Sequence, residues 1–194
     1  MIKGTKEHKE LAVDILVSAF GDLKEDNSIN FIVGYGADRI KKMRALMGYL
    51  FEMSMLFGEV YITDNKKSCL LVAHSEKEKV TLKTIYLDIQ LVFKAIGLKN
   101  VFKVLKRQQL VKQFYPKNEA YIKPVIMGSL KDAYGSGSAA RLVITVMKKY
   151  KENKKPVIVD TTALYNIKLY QKFGFKIINK EKSLGFPMTL LRLN

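Results

Sequence analysis

The stretch from residue 121 to residue 150 constrains this chain most. Residues 121–130 read as a strand. Tyr134-Gly135-Ser136-Gly137-Ser138 reads as a glycine-bearing turn, and residues 139–150 as a helix that turns Leu142, Val143, Val146 and Met147 inward. Strand, glycine loop and helix in that order make a phosphate-binding arrangement. The first N–H groups of a helix lack intrahelical partners, and the helix dipole favours an anion there. Glycine lets the backbone come close to a ligand. Neither common nucleotide signature is complete, however. A Walker loop requires Gly-Lys-Ser/Thr at the helix start, and the lysine is missing. The dinucleotide fingerprint requires a third glycine where Ala140 stands, followed by a full set of alternating strands and helices that does not come.

The flanking segments supply the rest of an α-and-β chain. Residues 7–20 place Leu11, Ile15, Leu16 and Ala19 at helical spacing, with Gly21 as the stop. Gly34-Tyr35-Gly36 punctuates a loop. Residues 38–56 form a second amphipathic helix through Ile40, Met43, Leu46, Met47, Leu50, Met53 and Leu56, its methionines serving as core filler. Residues 59–63 and 69–73 read as a hairpin around Asp64-Asn65-Lys66-Lys67. Residues 84–96 and 99–114 read as two helices split by Gly97. The second carries an apolar stripe of Leu98, Val101, Phe102, Leu105 and Leu110, and its opposite face, with Lys99, Lys103, Lys106, Arg107 and Lys112, is expected to be solvated. Beyond the glycine loop, Lys154-Lys155-Pro156 ends the helix, and residues 157–161 form a short buried strand. Residues 166–173 are a helix stopped by Gly174, and 175–179 and 188–192 are two closing strands. No repeat, low-complexity tract or clear linker interrupts the chain, so residues 1–194 read as one domain.

Composition removes several function classes. The formal charge is +16, from 34 Lys and Arg against 18 Asp and Glu. Lysine outnumbers arginine and is mostly scattered, whereas nucleic-acid readers favour the arginine fork. The basic balance is therefore read as a solvated surface, and no nucleic-acid partner is expected. No stretch of eighteen residues is free of charge, so neither a membrane span nor a membrane partner is expected. The first six residues lack the apolar run of a signal peptide. The lone cysteine, Cys69, allows no internal disulfide, suits a reducing cytoplasm and reads as a small buried residue of a strand. With only His8 and His74 beside it, no metal site is expected.

The second half of the chain contains Asn166-Ile167-Lys168-Leu169-Tyr170-Gln171-Lys172-Phe173-Gly174-Phe175. This segment resembles the pattern Asn-x-x-(Ala/Leu)-Tyr-x-x-x-Gly-Phe of the GCN5-related N-acetyltransferases (GNAT). Residues 132–137 resemble that family's pyrophosphate loop, Gln/Arg-x-x-Gly-x-Gly/Ala, and one helix and one strand separate the two motifs, as in the family. The likeness runs over residues 121–175. It implies an α+β fold with a central mixed, mostly antiparallel sheet flanked by helices, whose splayed central strands form an acyl-CoA cleft.

The resemblance also implies roles. Main-chain groups of Val125, Ile126 and Met127 would meet the pantetheine arm of acetyl-CoA. The loop residues Asp132, Ala133, Tyr134, Gly135, Ser136, Gly137 and Ser138 would hold the pyrophosphate, and Asn166 and Tyr170 would lie against the cofactor. Tyr170 would be the general acid for the departing thiolate. The implied reaction is direct attack by a neutral primary amine, with the Met127 N–H on the carbonyl oxygen and no covalent enzyme intermediate. Asp160 is the first candidate for the base and Glu119 the second. Each carboxylate also has a plain reading as a turn or surface group, and Tyr170 as a packed helix tyrosine. Two positions depart from the pattern: Asp132 replaces Gln or Arg, and Ala133 replaces glycine. A carboxylate beside a pyrophosphate is unfavourable unless it turns away or caps the helix; the neighbouring Lys131 is expected to offset it. These departures support a second reading, an acyl-CoA-sensing module without turnover. The amine acceptor, small molecule or peptide, is not named by the sequence, and monomer and homodimer fit equally.

Overall fold

The computed structural model describes residues 1–152, 155–182 and 187–194; Lys154, expected to help end a helix, lies outside them. In chain order the elements are β1 (Ile2–Lys3), α1 (Lys9–Phe20), α2 (Ser28–Val33), α3 (Arg39–Phe57), β2 (Gly58–Ile62), β3 (Ser68–His74), α4 (Leu82–Leu91), α5 (Val101–Lys112), β4 (Ile122–Ser129), α6 (Ser138–Glu152), β5 (Val157–Thr161), α7 (Leu164–Lys172), β6 (Lys176–Glu181) and β7 (Met188–Leu193). The strands form one sheet in the order β1-β2-β3-β4-β5-β7-β6. Every neighbouring pair is antiparallel except β4 and β5. The expected mixed, mostly antiparallel sheet flanked by helices is what forms.

Each face of the sheet is closed by helices whose apolar spacing was legible. On one face Leu16 of α1 and Met43, Met47 and Phe51 of α3 bury against Val60, Ile62 and Leu71 of β2 and β3. On the other, Leu142, Val146 and Tyr150 of α6 meet Tyr61, Val72, Val157 and Val159. Two elements had no sequence signal. β1 is too short for alternation to register. α2 is six residues held at its start by Asn27, whose side-chain oxygen accepts from the Ile29 and Asn30 N–H groups at 2.9 Å.

The amphipathic reading of α5 holds only in part. Val101 and Leu110 pack inward and Lys99, Lys103, Lys106 and Lys112 are exposed as expected, but Val104 and Arg107 are the buried residues and Leu98, Phe102 and Leu105 are exposed. The Arg107 guanidinium lies over the Phe31 ring (4.4 Å) and donates to Ser28 Oγ (2.9 Å), both on α2. An arginine packed on an aromatic face and bonded at its head is a stable way to bury a cation.

The β4–β5 pairing is the feature that shapes the site. The two strands share a single register pair, Ile122 with Val157, and the Ile122 N–H donates to Pro156 O (2.9 Å). Two residues on, where the next β4 donor should face β5, stands Pro124, which has no N–H. Val125 then has no partner on β3, because Val72 pairs with Pro124 and Leu71 with Ile126. This bulge shifts the alternation by one residue. Leu130 N–H donates to Lys67 O on the β3 side (2.8 Å), so counting back by twos Gly128 and Ile126 also face β3. The main-chain groups of Met127 and Ser129 therefore face a gap from which β5 has parted. This is the expected splay.

A polar knot fixes α6 to the sheet. Glu59 of β2 accepts hydrogen bonds from Tyr61 OH (2.5 Å) and Tyr150 OH (2.7 Å) and pairs with Lys3 (2.8 Å) and Lys149 (3.3 Å). Burial pushes its carboxyl up, yet the bonds from Lys3, Tyr61 and Tyr150 and the charge of Lys149 outweigh that and hold it well below the ordinary carboxylate range. A depressed carboxyl stabilises the fold above its unfolded-state value and loses that contribution as pH falls through the folded value. Glu59→Gln is therefore expected to lower unfolding stability by about 1.5–3 kcal/mol near neutral pH. In urea titrations the gap between the two proteins should shrink as pH drops below about 4.

Candidate functional site

The loop after β4 is built to leave N–H groups free. A 3-10 turn, Lys131–Ala133, brings the chain round to Gly135 (φ 79°) and Gly137 (φ 72°), both in the left-handed region that favours glycine. A Cβ at either position would meet nothing within 4 Å, so the backbone there borders open space. Tyr134 and Ser136 spend their N–H groups inside the loop, on Lys131 O (3.2 Å) and Ala133 O (3.2 Å). Among the described residues, the N–H groups of Gly135, Gly137, Ala139 and Ala140 have no protein partner, and they sit at the N-terminal end of the fifteen-residue helix α6.

Side-chain hydroxyls hold this loop against the sheet. Ser129 Oγ donates to Ser68 Oγ (2.8 Å), which lies 3.3 Å from Ser138 Oγ; Ser136 Oγ donates to Ala133 O (2.7 Å) and lies 3.0 Å from Ser138 Oγ. Ser68, Ser129 and Ser138 are all buried. The chain of hydroxyls runs from β3 through the end of β4 to the first residue of α6, and only Ser136 and Ser138 belong to the glycine loop that local spacing reveals. Asp132 turns away from the loop interior to pair with Lys67 (2.7 Å). Lys131, expected to offset that charge, pairs instead with Asp22. Lys67 does the offsetting, from the β2–β3 turn, and Ala133 is buried in the 3-10 turn with helical backbone that needs no glycine.

The residues read as cofactor and catalytic groups distribute around the gap. Of Val125, Ile126 and Met127, Ile126 has its main chain in the ladder with Leu71, and Met127 is the one whose N–H and C=O face the gap. Asn166 and Tyr170 lie on α7, both half-buried. Thr161 Oγ1, at the end of β5, accepts from Ala163 N–H (3.3 Å) and Asn166 Nδ2 (3.4 Å), which sets the start of α7. Tyr170 packs against Phe175 (ring centroids 5.3 Å) and borders the same apolar cluster as Met127. Its hydroxyl makes no hydrogen bond among the described residues. Burial first, and the nearby Asp160 charge second, raise its pKa above the ordinary phenol value.

Asp160 points to the opposite side of the sheet from α6. It accepts a hydrogen bond from Tyr115 OH and has Lys123 Nζ at 3.5 Å. Tyr115 is buried in a small cluster with Ile158, Met188 and Leu190, and stacks on Tyr121 at 5.4 Å. The Asp160 charge reaches Arg107, whose burial lowers its pKa to about 10. Tyr115, Lys123 and Arg107 were missed in sequence because they come from segments 37–53 residues away from Asp160 that no spacing rule connects to it. Glu119 is held by Arg192 in a two-pronged ion pair (2.6 and 2.8 Å). His8 serves in a turn with Thr5, and His74 lies beside Tyr150. Cys69 is fully buried, and burial pushes its thiol up to about 12. No group of metal-ligating side chains occurs among the described residues.

A sheet opened between two central parallel strands, with a helix N-terminus at one end of the opening, defines the fold class of the GNAT acetyltransferases. Comparison with solved structures gives that class its particulars. A histone acetyltransferase HPA2 and related acetyltransferase from Corynebacterium glutamicum matches over 98% of this chain and 93% of its own, with a TM-score of 0.67 and 16% identity. The C-terminal condensation domain of Ebony, solved with beta-alanyl-dopamine, matches over 99% and 96%, with a TM-score of 0.65 and 11% identity. The polyamine N-acetyltransferase of Drosophila melanogaster matches over 97% and 95%, with a TM-score of 0.52 and 11% identity. By sequence the chain matches no family model and no curated protein. At these identities the common property is the fold.

The cradle makes a direct prediction. Gly137→Ala, which forces a side chain into left-handed backbone, is expected to cost about 1–2 kcal/mol of stability. CoA affinity measured by calorimetry should fall on the order of ten-fold, the equivalent of one charge-assisted N–H bond.

Proposed function

We propose that this protein is an acetyl-CoA-dependent N-acetyltransferase that acetylates a primary amine by direct attack. The observation that carries the reading is the opened β4–β5 gap, with free N–H groups at the α6 end, the Met127 main chain on one wall and the Tyr170 hydroxyl on α7. The residues fit the cofactor: unpaired N–H groups at a helix start suit a pyrophosphate, and an unpaired strand edge suits the amides of a pantetheine arm. Acetyl-CoA, when bound, supplies an activated thioester. The loop from Asp132 to Ser138 grips the diphosphate through Gly135 and Gly137, and Asn166 borders the arm. The Met127 N–H donates to the carbonyl oxygen as it gains charge.

Tyr170 is the proton donor in this reading. Its raised pKa keeps the phenol protonated at neutral pH, ready to give its proton to the leaving thiolate. Asp160 takes the amine proton, directly or through water, from the side of the sheet opposite α6; Tyr115 and Lys123 hold its carboxylate in place. Glu119, tied to Arg192, is the weaker candidate. The acceptor is a small amine or a peptide amine, and the continuous seven-stranded sheet supports reading residues 1–194 as one catalytic domain. The buried lone thiol Cys69 is compatible with work in a reducing cytoplasm.

Release of free CoA thiol from acetyl-CoA, followed across a panel of primary amines, tests the assignment. Tight acetyl-CoA binding with no amine-dependent thiol release would convert the protein into a sensor. Tyr170→Phe is expected to lower kcat by about 10²–10⁴-fold with CoA affinity nearly unchanged. In the wild-type protein, the kcat profile should stay level rather than fall on the alkaline side up to about pH 10, since the phenol titrates above its ordinary value.

A further inference from the structure

The excursion between β3 and β4 carries an apolar surface that none of the described residues covers. Along α4 and the π-type turn that continues it (Val92–Ile96), Leu82, Tyr86, Ile89 and Phe93 are 88%, 60%, 51% and 70% exposed. Their spacing of four, three and four residues places them in one narrow stripe, while Leu91 and Thr84 turn inward. The pattern repeats after Gly97: Leu98 and Phe102 are 66% and 84% exposed. A soluble protein rarely exposes so many large apolar side chains in consecutive segments without a use for them.

The charges beside this stripe say what covers it. Residues 79–112 contain seven lysines and one arginine against a single acid, Asp88, which accepts a hydrogen bond from Tyr49. Lys83 and Lys94 each follow a stripe residue by one position, as Lys99 and Lys103 do on α5, so they flank the stripe about 100° round the helix. Lys83 pairs with Glu52 (3.4 Å) and Lys94 donates to Gln90 (3.3 Å), whereas among the described residues Lys79, Lys99, Lys103 and Lys106 make no ion pair. An apolar stripe bordered by lysines, most of them without an acidic partner, matches the boundary of a bilayer whose headgroups are anionic. A second copy of this chain would set the same lysines against each other across a two-fold contact. Nucleic acid would match the lysines but leave phenylalanine and leucine with nothing to bury against.

We propose that the solvent face of α4 and α5 seats this protein on anionic lipid bilayers as a peripheral, non-spanning protein. No described helix is long and apolar enough to cross a membrane. The apolar stripe enters the headgroup boundary while the flanking lysines meet lipid phosphates and carboxylates. The surface is independent of the acetyl-CoA site and of the activity assigned to it.

Flotation of the full chain with phosphatidylcholine vesicles, with and without phosphatidylserine, tests the proposal. The protein should float only with the phosphatidylserine vesicles. Phe93→Ser and Phe102→Ser should each weaken partitioning about ten-fold, because each withdraws one large buried side chain from the bilayer. Combined Lys99→Gln, Lys103→Gln and Lys106→Gln should weaken it at low salt and flatten its salt dependence. All these side chains are exposed, so unchanged melting temperature and CoA binding confirm that each variant is folded. Four results would overturn the proposal: no flotation with either vesicle; flotation unaffected by both phenylalanine variants; a dimer in sedimentation that Phe93→Ser dissociates without any lipid binding; or an oligonucleotide that displaces the vesicles and binds the phenylalanine variants equally well.

Discussion

The structure turns on one missing hydrogen bond. Ile122 joins β4 to β5, and Pro124 cannot make the bond that would extend the pairing. With the ladder stopped, the two central strands diverge. The bulge at Val125 then exchanges which residues face which neighbour, so that Met127 presents its main chain to the opening while Ile126 stays bonded to β3. An unpaired edge inside a sheet is normally costly, because buried backbone groups require partners. Here the edge faces a gap that a ligand with its own amides can fill, while β2–β3, β3–β4, β5–β7 and β6–β7 pair over five to seven residues on either side of it.

Rigidity at the end of the gap comes from groups that have no chemical part in a reaction. The serine hydroxyls of positions 129, 68, 138 and 136 tie β3, β4 and the first turn of α6 together. The Glu59 knot holds the far end of the same helix. Between them they fix the direction of the helix axis, and with it the direction in which the free N–H groups point. Lys67 completes the arrangement by drawing Asp132 out of the loop, which removes the electrostatic objection to an anion there. The β2–β3 turn thus gives the carboxylate at position 132 a partner outside the loop, and Ala133 lies buried in the 3-10 turn.

The net charge of +16 is not spread evenly in its consequences. Acids that pair with bases gather on the sheet and α1–α3 side, where Glu10, Asp14, Glu52 and Glu59 hold Arg44, Lys9 and Lys149. The α4–α5 excursion has almost no acids of its own, and Arg107 is drawn inward, so its lysines stay outward beside apolar side chains. Arg107 is the basic residue of α5 that packs inward, onto Phe31 and Ser28 of α2.

Local spacing was enough for the sequence to determine most helices and strands, the glycine loop before α6 and the Asn166–Tyr170 helix after β5. Those features follow from side-chain periodicity and from backbone angles that glycine alone tolerates, and both are written in neighbouring residues. The insertion of β7 between β5 and β6, the burial of Arg107 against α2, the capture of Asp132 by Lys67 and the company of Asp160 were decided only by the tertiary structure. Each depends on residues far apart in the chain meeting across the sheet or between helices. The strength of such a meeting is set by burial and by competing partners, and no pattern of nearby residues encodes either.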